Sequence, residues 1–229
     1  MKLDTKGLAT IIDYSLLGPD TTRQDIEKFC DIEKEYQFGT VYVLPANFTI
    51  MRDMLDGLDV LLGTGIGFPF GTHETKTKLF ECGRALEQGA DVVDFVINVG
   101  ALKSGNIALV ENEVREMVAL ASPKPVKVIL EVSYLTDEEI AKATRIVCGA
   151  GAAYVKTGTG FGPRGTTMND AQLLLDNLSG ETKVKVAGGI KDIETLLEMY
   201  RRGVSLFGLS KGPEIIRQFE EKYQGLYEC

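Results

Sequence analysis

Apolar runs of strand length alternate with amphipathic helical stretches through the whole chain. Eight runs have the composition of buried strands, and they cover residues 10–17, 40–45, 60–68, 91–98, 126–133, 152–159, 183–189 and 205–210. Helical periodicity fills residues 22–36, 47–57, 74–89, 109–121, 136–151, 169–178, 192–203 and 213–223. Near-continuous apolar strands predict a parallel sheet covered on both faces. Eight strand–helix units in 229 residues predict an α/β protein with a closed (β/α)8 TIM barrel, as a single domain over residues 1–229.

An open, doubly wound sheet is the structural alternative to the barrel. The placement of polar residues favours the barrel, because unusual groups lie at or beyond the carboxyl ends of several predicted strands. They are Asp13, Ser15, Asn47, Asp94, Asn98, Glu131, Ser133, Lys156, Lys185 and Ser210, together with the loop GFPFGTH at 67–73. A closed barrel brings these strand ends to one mouth, where barrel enzymes hold their active sites.

Charge and composition narrow the functional classes. The net charge of −8 disfavours binding to nucleic acid or anionic membranes, while a small phosphorylated sugar remains compatible with local lysines. The amino-terminal residues have no apolar leader and no later run approaches the length of a membrane span, so we expect a soluble, cytoplasmic protein. The four cysteines form no CxxC pair, and HETKTK lacks HExxH spacing, so neither a metal nor a disulfide framework is indicated. The cysteines are Cys30, Cys82, Cys148 and Cys229.

Two lysines, Lys156 in AAYVKTGT and Lys185 in KVKVAGG, lie in runs that otherwise have the composition of buried strands. Alternation places Lys156 on the opposite face from Val155 and Thr157, and Lys185 on the opposite face from its two flanking valines, hence inside the barrel if the valines pack against the helices. If their strands are adjacent, the amines approach to about 5 Å. At an effective dielectric of about 20, their repulsion of roughly 3 kcal/mol lowers one lysine pKa by about two pH units. This pattern predicts a nucleophilic amine; the alternative is two lysines that reach out to solvent.

Asp94 in DVVDFVIN occupies the strand two before that of Lys156, a separation of about 10 Å that two inward side chains can span. Lys156 would form a carbinolamine and then an imine with a carbonyl substrate, and the protonated imine accepts electrons from the adjacent carbon–carbon bond. Asp94 and Lys185 would then move protons. The structural alternative is an internal salt bridge without chemistry.

A phosphate-binding segment is predicted after the last two strands, at AGGI and GLSKG, where barrels often bind phosphate. Its residues are Gly188, Gly189, Ser210 and Lys211, and we also place Asp13 and Ser15 among the substrate-binding residues. The glycines equally fit ordinary turns. Arg164 fits either an anion contact or a solvated loop charge. His73, the sole histidine, is given no catalytic role.

Several long motifs, in order and at suitable separations, resemble those of the deoxyribose-phosphate aldolases. They are LGTGIGFPFGTHETKTK, GADVVDFVINVGALKSG, VKVILEVSYLTDEEI, AAYVKTGTGF, KVKVAGGI and FGLSKG. The resemblance covers nearly the whole chain and implies a (β/α)8 class I aldolase that needs no metal or organic cofactor. It implies cleavage of 2-deoxy-D-ribose 5-phosphate to D-glyceraldehyde 3-phosphate and acetaldehyde. Lys156 matches the imine-forming lysine of that family, Asp94 and Lys185 its proton-relay pair, and Gly188, Gly189 and Ser210 its phosphate-binding segment.

The first quarter of the chain departs from the common pattern of that family. Where many members read close to IDHTLLKP, this chain has IDYSLLGP, so that Tyr14, Ser15 and Gly18 replace His, Thr and Lys. Where VCVNP is usual, VYVLP places Tyr42 and Leu44 at the Cys and Asn positions. These changes leave the predicted imine chemistry intact and alter groups near the substrate.

We therefore expect a lysine-dependent carbon–carbon lyase. A Schiff-base aldolase acting on a different phosphorylated hydroxy-aldehyde or ketose is the first alternative, motivated by the departures near the amino terminus. A phosphosugar-binding barrel without catalysis is the second. Exposed apolar helix positions are compatible with a homodimer.

Overall fold

The structure is a computed structural model that describes residues 2–228. These residues form ten strands: β1 (Lys2–Asp4), β2 (Ile12–Leu16), β3 (Thr40–Val43), β4 (Leu61–Ile66), β5 (Val92–Val96), β6 (Val126–Ile129), β7 (Tyr154–Lys156), β8 (Lys183–Ala187), β9 (Leu206–Leu209) and β10 (Leu226–Glu228). They also form ten α-helices: α1 (Thr5–Thr10), α2 (Arg23–Tyr36), α3 (Phe48–Met54), α4 (Thr75–Glu87), α5 (Val99–Lys103), α6 (Ile107–Ala121), α7 (Asp137–Gly149), α8 (Met168–Asp176), α9 (Ile193–Arg201) and α10 (Gly212–Tyr223). Two 3₁₀ helices occupy Pro45–Asn47 and Val132–Tyr134.

Strands β2 to β9 form a closed parallel barrel in chain order, and β9 pairs with β2 to complete it. Each of the eight predicted runs contains one of these strands, so the predicted closed barrel is confirmed and the open sheet is wrong. Several predicted runs extend beyond the carboxyl ends of their strands, because the apolar and glycine-rich residues there form the loops of the barrel mouth. None of the helices within residues 2–228 has the length and apolar character needed to span a bilayer.

The alternation of β7 and β8 explains how lysines come to lie inside the barrel. Val155, Val184 and Val186 are fully buried in the hydrophobic core between the barrel and its helices. Lys156 and Lys185, next to them in sequence, point to the opposite face because successive strand side chains alternate. The valines anchor the strands, and this places the two amines in the barrel interior.

Helix boundaries follow the capping residues of the sequence. Thr136 begins α7 with a capping box, in which its hydroxyl accepts from the backbone of Glu139 and the Glu139 carboxylate accepts from the backbone of Thr136. Helix α7 ends at Gly149, two residues before the end of its predicted range. Thr22 and Asp25 form the same arrangement at the start of α2. These caps fix where each helix starts and therefore the length of each loop at the mouth.

Six short elements were not predicted from the sequence, namely the two 3₁₀ helices, strands β1 and β10, and helices α1 and α5. Strands β1 and β10, three residues each, pair antiparallel outside the barrel, with Lys2 opposite Glu228. Helices α1 and α5 have six and five residues. Segments of this length contain too few residues to show a period, and the pairing of β1 with β10 joins positions that are far apart in the chain.

Candidate active site

A cavity of about 560 Å³ lies at the carboxyl ends of the barrel strands. It is lined by all nine residues that the sequence analysis placed in the site, namely Asp13, Ser15, Asp94, Lys156, Lys185, Gly188, Gly189, Ser210 and Lys211. The mouth at this end is where barrel enzymes hold their active sites. The barrel therefore brings together residues that are separated by almost 200 positions of sequence.

Lys156 and Lys185 occupy paired positions on the adjacent parallel strands β7 and β8. Asp94 on β5 reaches both of them: its Oδ2 atom accepts from Lys156 Nζ at 2.6 Å and from Lys185 Nζ at 2.8 Å. All three side chains are buried. The alternative in which the two lysines reach out to solvent is therefore wrong.

A second carboxylate and a third lysine extend this arrangement. Asp13 Oδ2 on β2 lies 2.5 Å from Lys185 Nζ and also accepts from Lys127 Nζ on β6 at 2.5 Å. We refer to Asp13, Asp94, Lys127, Lys156 and Lys185 as the charge cluster. Asp13 lines the cavity as predicted, but its contacts are with lysines. Asp13 therefore belongs to the charge cluster, and its predicted substrate-binding role stays a prediction.

The Lys156 amine lies in the cavity and loses its proton more readily than an ordinary lysine. Burial lowers the pKa of Lys156 to about 8, the positive charge of Lys185 adds to this effect, and the carboxylates of Asp94 and Asp13 oppose it. From the sequence, repulsion by the neighbouring lysine was the expected cause of the lowered pKa. In the structure, loss of water around the ammonium is the larger cause.

Lys185 and Asp94 are held in their charged forms. Burial disfavours the Lys185 cation, but the carboxylates of Asp13 and Asp94 outweigh burial and raise the pKa of Lys185. Burial likewise disfavours the Asp94 anion, but Lys156, Lys185 and Lys127 hold the pKa of Asp94 well below its usual range. The site thus combines an amine that titrates near neutrality with a fixed cation and a fixed anion.

Tyr42 forms part of the cavity floor. Its ring centroid lies 4.3 Å from Lys185 Nζ, a cation–π contact. The hydroxyl is buried and makes no hydrogen bond of normal geometry. Burial and the carboxylates of Asp13 and Asp94 raise the pKa of Tyr42, so the phenol is neutral. Gly63, paired with Tyr42 on β4, makes this possible, because a Cβ atom there would lie 2.3 Å from the ring.

The positions where this chain departs from the family pattern divide into two groups. Ser15, Gly18 and Tyr42 line the cavity. Tyr14 instead stacks against an aromatic side chain of α2, with ring centroids 4.4 Å apart, and neither it nor Leu44 is among the lining residues. The departures that can affect the substrate are thus fewer than the sequence suggested.

The predicted phosphate segment, Gly188, Gly189, Ser210 and Lys211, lies on one side of the mouth, after β8 and β9. Gly188 and Gly189 have φ angles of +85° and +94°, which side chains rarely adopt. A Cβ atom on Gly189 would lie 2.9 Å from Gly165 Cα in the loop after β7. Lys211 is the residue before α10, so the segment combines exposed backbone, a hydroxyl, an ammonium and a helix amino terminus.

Other polar residues noted in the sequence have structural partners outside this set. Arg164 donates to both carboxylate oxygens of Asp170, at 2.6 and 3.0 Å, so its charge is compensated within the protein. Glu131 accepts from the backbone and hydroxyl of Thr159, which holds the β7 loop. His73 is exposed. Within residues 2–228, no group of three or more His, Cys, Asp or Glu side chains is arranged to hold a metal ion.

Lys127 is the member of the charge cluster that the sequence analysis missed. It lies in VKVIL, between two valines of a buried strand, in the same pattern that singled out Lys156 and Lys185. The alternation of valine, lysine and valine is therefore a local signal of an inward lysine here as well. Asp13, the partner of Lys127, lies 114 positions away in the sequence, so the contact itself gave no local signal.

Three comparisons with known proteins agree with this fold and site. The sequence profile of the DeoC/LacD family of aldolases matches residues 12–214. A deoxyribose-phosphate aldolase of Staphylococcus saprophyticus is 40% identical over 93% of this chain and 96% of its own length, and one of Thermococcus kodakarensis is 42% identical over 93% and 97%. The solved structure of a tetrameric deoxyribose phosphate aldolase from Aeropyrum pernix superposes with a TM-score of 0.84 at 29% identity, covering 94% of this chain and 92% of its own.

The family match and these relatives identify the barrel as an aldolase, a carbon–carbon lyase, which confirms the predicted class of enzyme. The chain belongs to the DeoC/LacD family of aldolases.

Proposed function

We propose that this aldolase cleaves 2-deoxy-D-ribose 5-phosphate to D-glyceraldehyde 3-phosphate and acetaldehyde through a Schiff base on Lys156. The observation that carries the proposal is the position of the Lys156 amine, which lies in the cavity with a pKa of about 8 and contacts Asp94 at 2.6 Å. A lysine in this state supplies free amine at neutral pH, which an ordinary lysine does not. The names of the curated relatives point to the same substrate.

In this reaction the free amine of Lys156 attacks the C1 aldehyde of the open-chain sugar to give a carbinolamine, which loses water to form a protonated imine. The C3 hydroxyl then loses its proton, the C2–C3 bond breaks, and its electron pair moves into the imine to form an enamine. Glyceraldehyde 3-phosphate leaves at this step. Protonation of the enamine at C2 and addition of water release acetaldehyde and restore the amine.

Asp94 and Lys185 are the proton-transfer pair in this proposal. The Asp94 carboxylate contacts both amines, and its second oxygen, Oδ1, is buried without a hydrogen-bond partner. That oxygen is free to accept a proton or a hydrogen bond from the substrate. Lys185 stays protonated and supplies positive charge beside the developing negative charge on the sugar oxygen.

The phosphate of the substrate binds at Gly188, Gly189, Ser210 and Lys211. Backbone groups of the glycine turn approach the anion without side chains in the way, and the Lys211 ammonium and the first turn of α10 provide positive charge. Lys191 also lines this part of the cavity. The sugar then extends from this side of the mouth towards Lys156.

Turnover of deoxyribose phosphate in an assay coupled to glyceraldehyde 3-phosphate release tests the substrate. We expect activity with 2-deoxyribose 5-phosphate that is at least tenfold higher than with unphosphorylated deoxyribose. No release of glyceraldehyde 3-phosphate from deoxyribose phosphate, by folded protein at several pH values, would contradict the proposal.

A second candidate is a Schiff-base aldolase for another phosphorylated hydroxy-aldehyde or ketose. Tyr42 favours it, since its ring occupies the cavity floor beside Lys185 where the family pattern has a smaller Cys. A panel of phosphosugars separates the two candidates. Strong turnover of another phosphosugar, with little turnover of deoxyribose phosphate, would support the second candidate function.

We also propose that the chain assembles into a homodimer or a larger homo-oligomer. Phe80 on α4 and Leu120 on α6 are large apolar side chains exposed at 71% and 43%. Their helices pack against each other on the outside of the barrel, so both side chains belong to one side of the molecule. Light scattering of the purified protein tests this, and a monomer at micromolar concentration would contradict it.

A further inference from the structure

Lys127 lies in the charge cluster but has no part in the reaction proposed above. It is only 3% exposed, and its Nζ donates to Asp13 Oδ2 at 2.5 Å. Asp13 also contacts Lys185, Lys185 contacts Asp94, and Asp94 contacts Lys156. Cations and anions therefore alternate along a continuous path from Lys127 to Lys156.

The charge cluster contains one cation more than it contains anions. Its three lysines and two aspartates carry a net charge of +1 when all are ionised. These groups are buried, and an uncompensated charge away from water is costly. Loss of one proton from a lysine makes the cluster neutral. Burial of the cluster therefore favours the state in which one of its three lysines is deprotonated.

The surroundings of each lysine decide which one is free. Lys185 contacts both carboxylates. Lys127 faces Asp13, Lys185 and Asp94, and two aromatic rings lie against its cation, that of Tyr42 at 5.4 Å and that of Tyr154 at 5.3 Å. Burial lowers the pKa of Lys127, and the Asp13 carboxylate opposes this.

Lys156 and Lys127 each have one direct ion pair with a carboxylate, and Lys156 differs in having no aromatic ring against its ammonium. The charged groups that face it are Asp94, Lys185 and Asp13, and it has a direct ion pair with Asp94 only, while the Lys185 cation repels it. No ring contact stabilises its ammonium among the described aromatic residues. Lys156 is therefore the amine that gives up the surplus proton.

We propose that Lys127 is a positioning residue whose cation neutralises Asp13, so that Lys156 is the surplus ammonium of the charge cluster and loses its proton. This inference rests on the proposed function, in which Lys156 is the nucleophile. Lys127 acts through Asp13 and Lys185, without contact to the substrate. Without Lys127, the two carboxylates would be balanced by Lys185 and Lys156, and Lys156 would keep its proton.

The test is the substitution Lys127→Met, which keeps the length of the side chain and removes its charge. Acetaldehyde and cyanoborohydride label Lys156 as a reduced imine, and peptide mass spectrometry measures the labelling rate from pH 6 to 10. Lys127 and Lys156 lie on the adjacent strands β6 and β7, offset by two residues along the strands. This geometry separates their backbone positions by about 8 Å. At an effective dielectric of about 20, losing a charge at that distance moves the titration up by about one and a half pH units. We expect labelling to be about thirtyfold slower than in the wild type at pH 7 and to approach the wild-type rate near pH 10.

Two further variants separate charge from structure. Asp13→Asn removes an anion instead of a cation, so we expect its labelling profile to move to lower pH. Asp13→Asn with Lys127→Met restores the charge balance, and we expect its rate at pH 7 to lie within about threefold of the wild type. If Lys127→Met does not fold, comparing Asp13→Asn with the double variant still reports the effect of the Lys127 charge. An unmoved profile, or a loss equal at every pH, would overturn the inference.

The outcomes also distinguish this inference from the proposed function. If acetaldehyde and cyanoborohydride label no Lys156 in the wild-type protein, the proposed function fails. If the wild type is labelled at Lys156 but removal of the Lys127 charge leaves the pH profile in place, only the inference about Lys127 fails.

Discussion

Lys156 and Lys185 have the same side chain and paired positions, yet their surroundings give them opposite properties. Lys185 lies between two carboxylates, so its pKa is raised, whereas Lys156 has one carboxylate partner and its pKa falls to about 8. The added contact with Asp13 therefore distinguishes the lysine that stays protonated from the lysine that can lose its proton near neutral pH.

The first prediction is the pH dependence of imine formation on Lys156. The protonated amine is unreactive, so the labelling rate with acetaldehyde and cyanoborohydride should rise about tenfold per pH unit below about pH 8 and level off above it. Mass spectrometry of the labelled peptide provides the measurement. A rate that continues to rise up to pH 10 would show that the lysine has an ordinary pKa.

Replacement of the shared carboxylate is the second prediction. Asp94→Asn removes the anion that contacts both lysines, and we expect kcat to fall by about 10² to 10⁴. Asp91→Asn is the matched control, because Asp91 pairs with Lys124 outside the cavity. Its kcat should stay within about twofold of the wild type. Equal losses in both variants would point to general destabilisation.

At the scale of elements, the period of the sequence was sufficient to predict the eight barrel strands and their order. Strand alternation also placed Lys156 and Lys185 inside, since their flanking valines form the core. The three-residue strands β1 and β10 were not predicted, because they pair across the length of the chain. The contact between Asp13 and Lys127 was not predicted either, because it depends on barrel closure and not on a local sequence pattern.

The glycine turn after β8 gives the third prediction. Gly189→Ala puts a Cβ atom 2.9 Å from Gly165 Cα at a φ of +94°, so we expect a loss of about 1–3 kcal/mol in the free energy of unfolding and a raised KM. Gly149→Ala is the control. It lies within α7 with open space around it, and it should stabilise by up to about 1 kcal/mol. Urea unfolding and initial rates measure both, and a neutral Gly189→Ala would contradict the predicted close packing.

At the scale of the whole molecule, burial of the Lys156 amine lowers the free energy of unfolding and also keeps that amine reactive. Lys156 has a pKa of about 8 in the folded protein against its usual 10.5, so the unfolded chain binds more protons between these values. The free energy of unfolding therefore rises with pH between about 8 and 10.5 through this group. Below pH 8 the buried Lys156 ammonium lowers the free energy of unfolding by its full amount.

Replacing this lysine is therefore the fourth prediction. Lys156→Met should abolish turnover and raise the free energy of unfolding by about 2 kcal/mol at pH 7, a gain that shrinks as pH rises towards 10.5. Lys183→Met, at the exposed amino end of β8, is the control and should change stability by less than about 0.5 kcal/mol. Denaturant titration at pH 7 and pH 10 measures both. A destabilised Lys156→Met would mean that its ion pair with Asp94 outweighs the cost of burial.

The measurement that tests the central claim most directly is the site of covalent capture. The wild-type protein is mixed with acetaldehyde and borohydride, digested, and analysed by peptide mass spectrometry, with Lys156→Met treated in parallel. We predict one reduced two-carbon adduct, on Lys156, and none on Lys127 or Lys185. Absence of the Lys156 adduct, or full aldolase activity in Lys156→Met, would contradict the claim that Lys156 is the nucleophile.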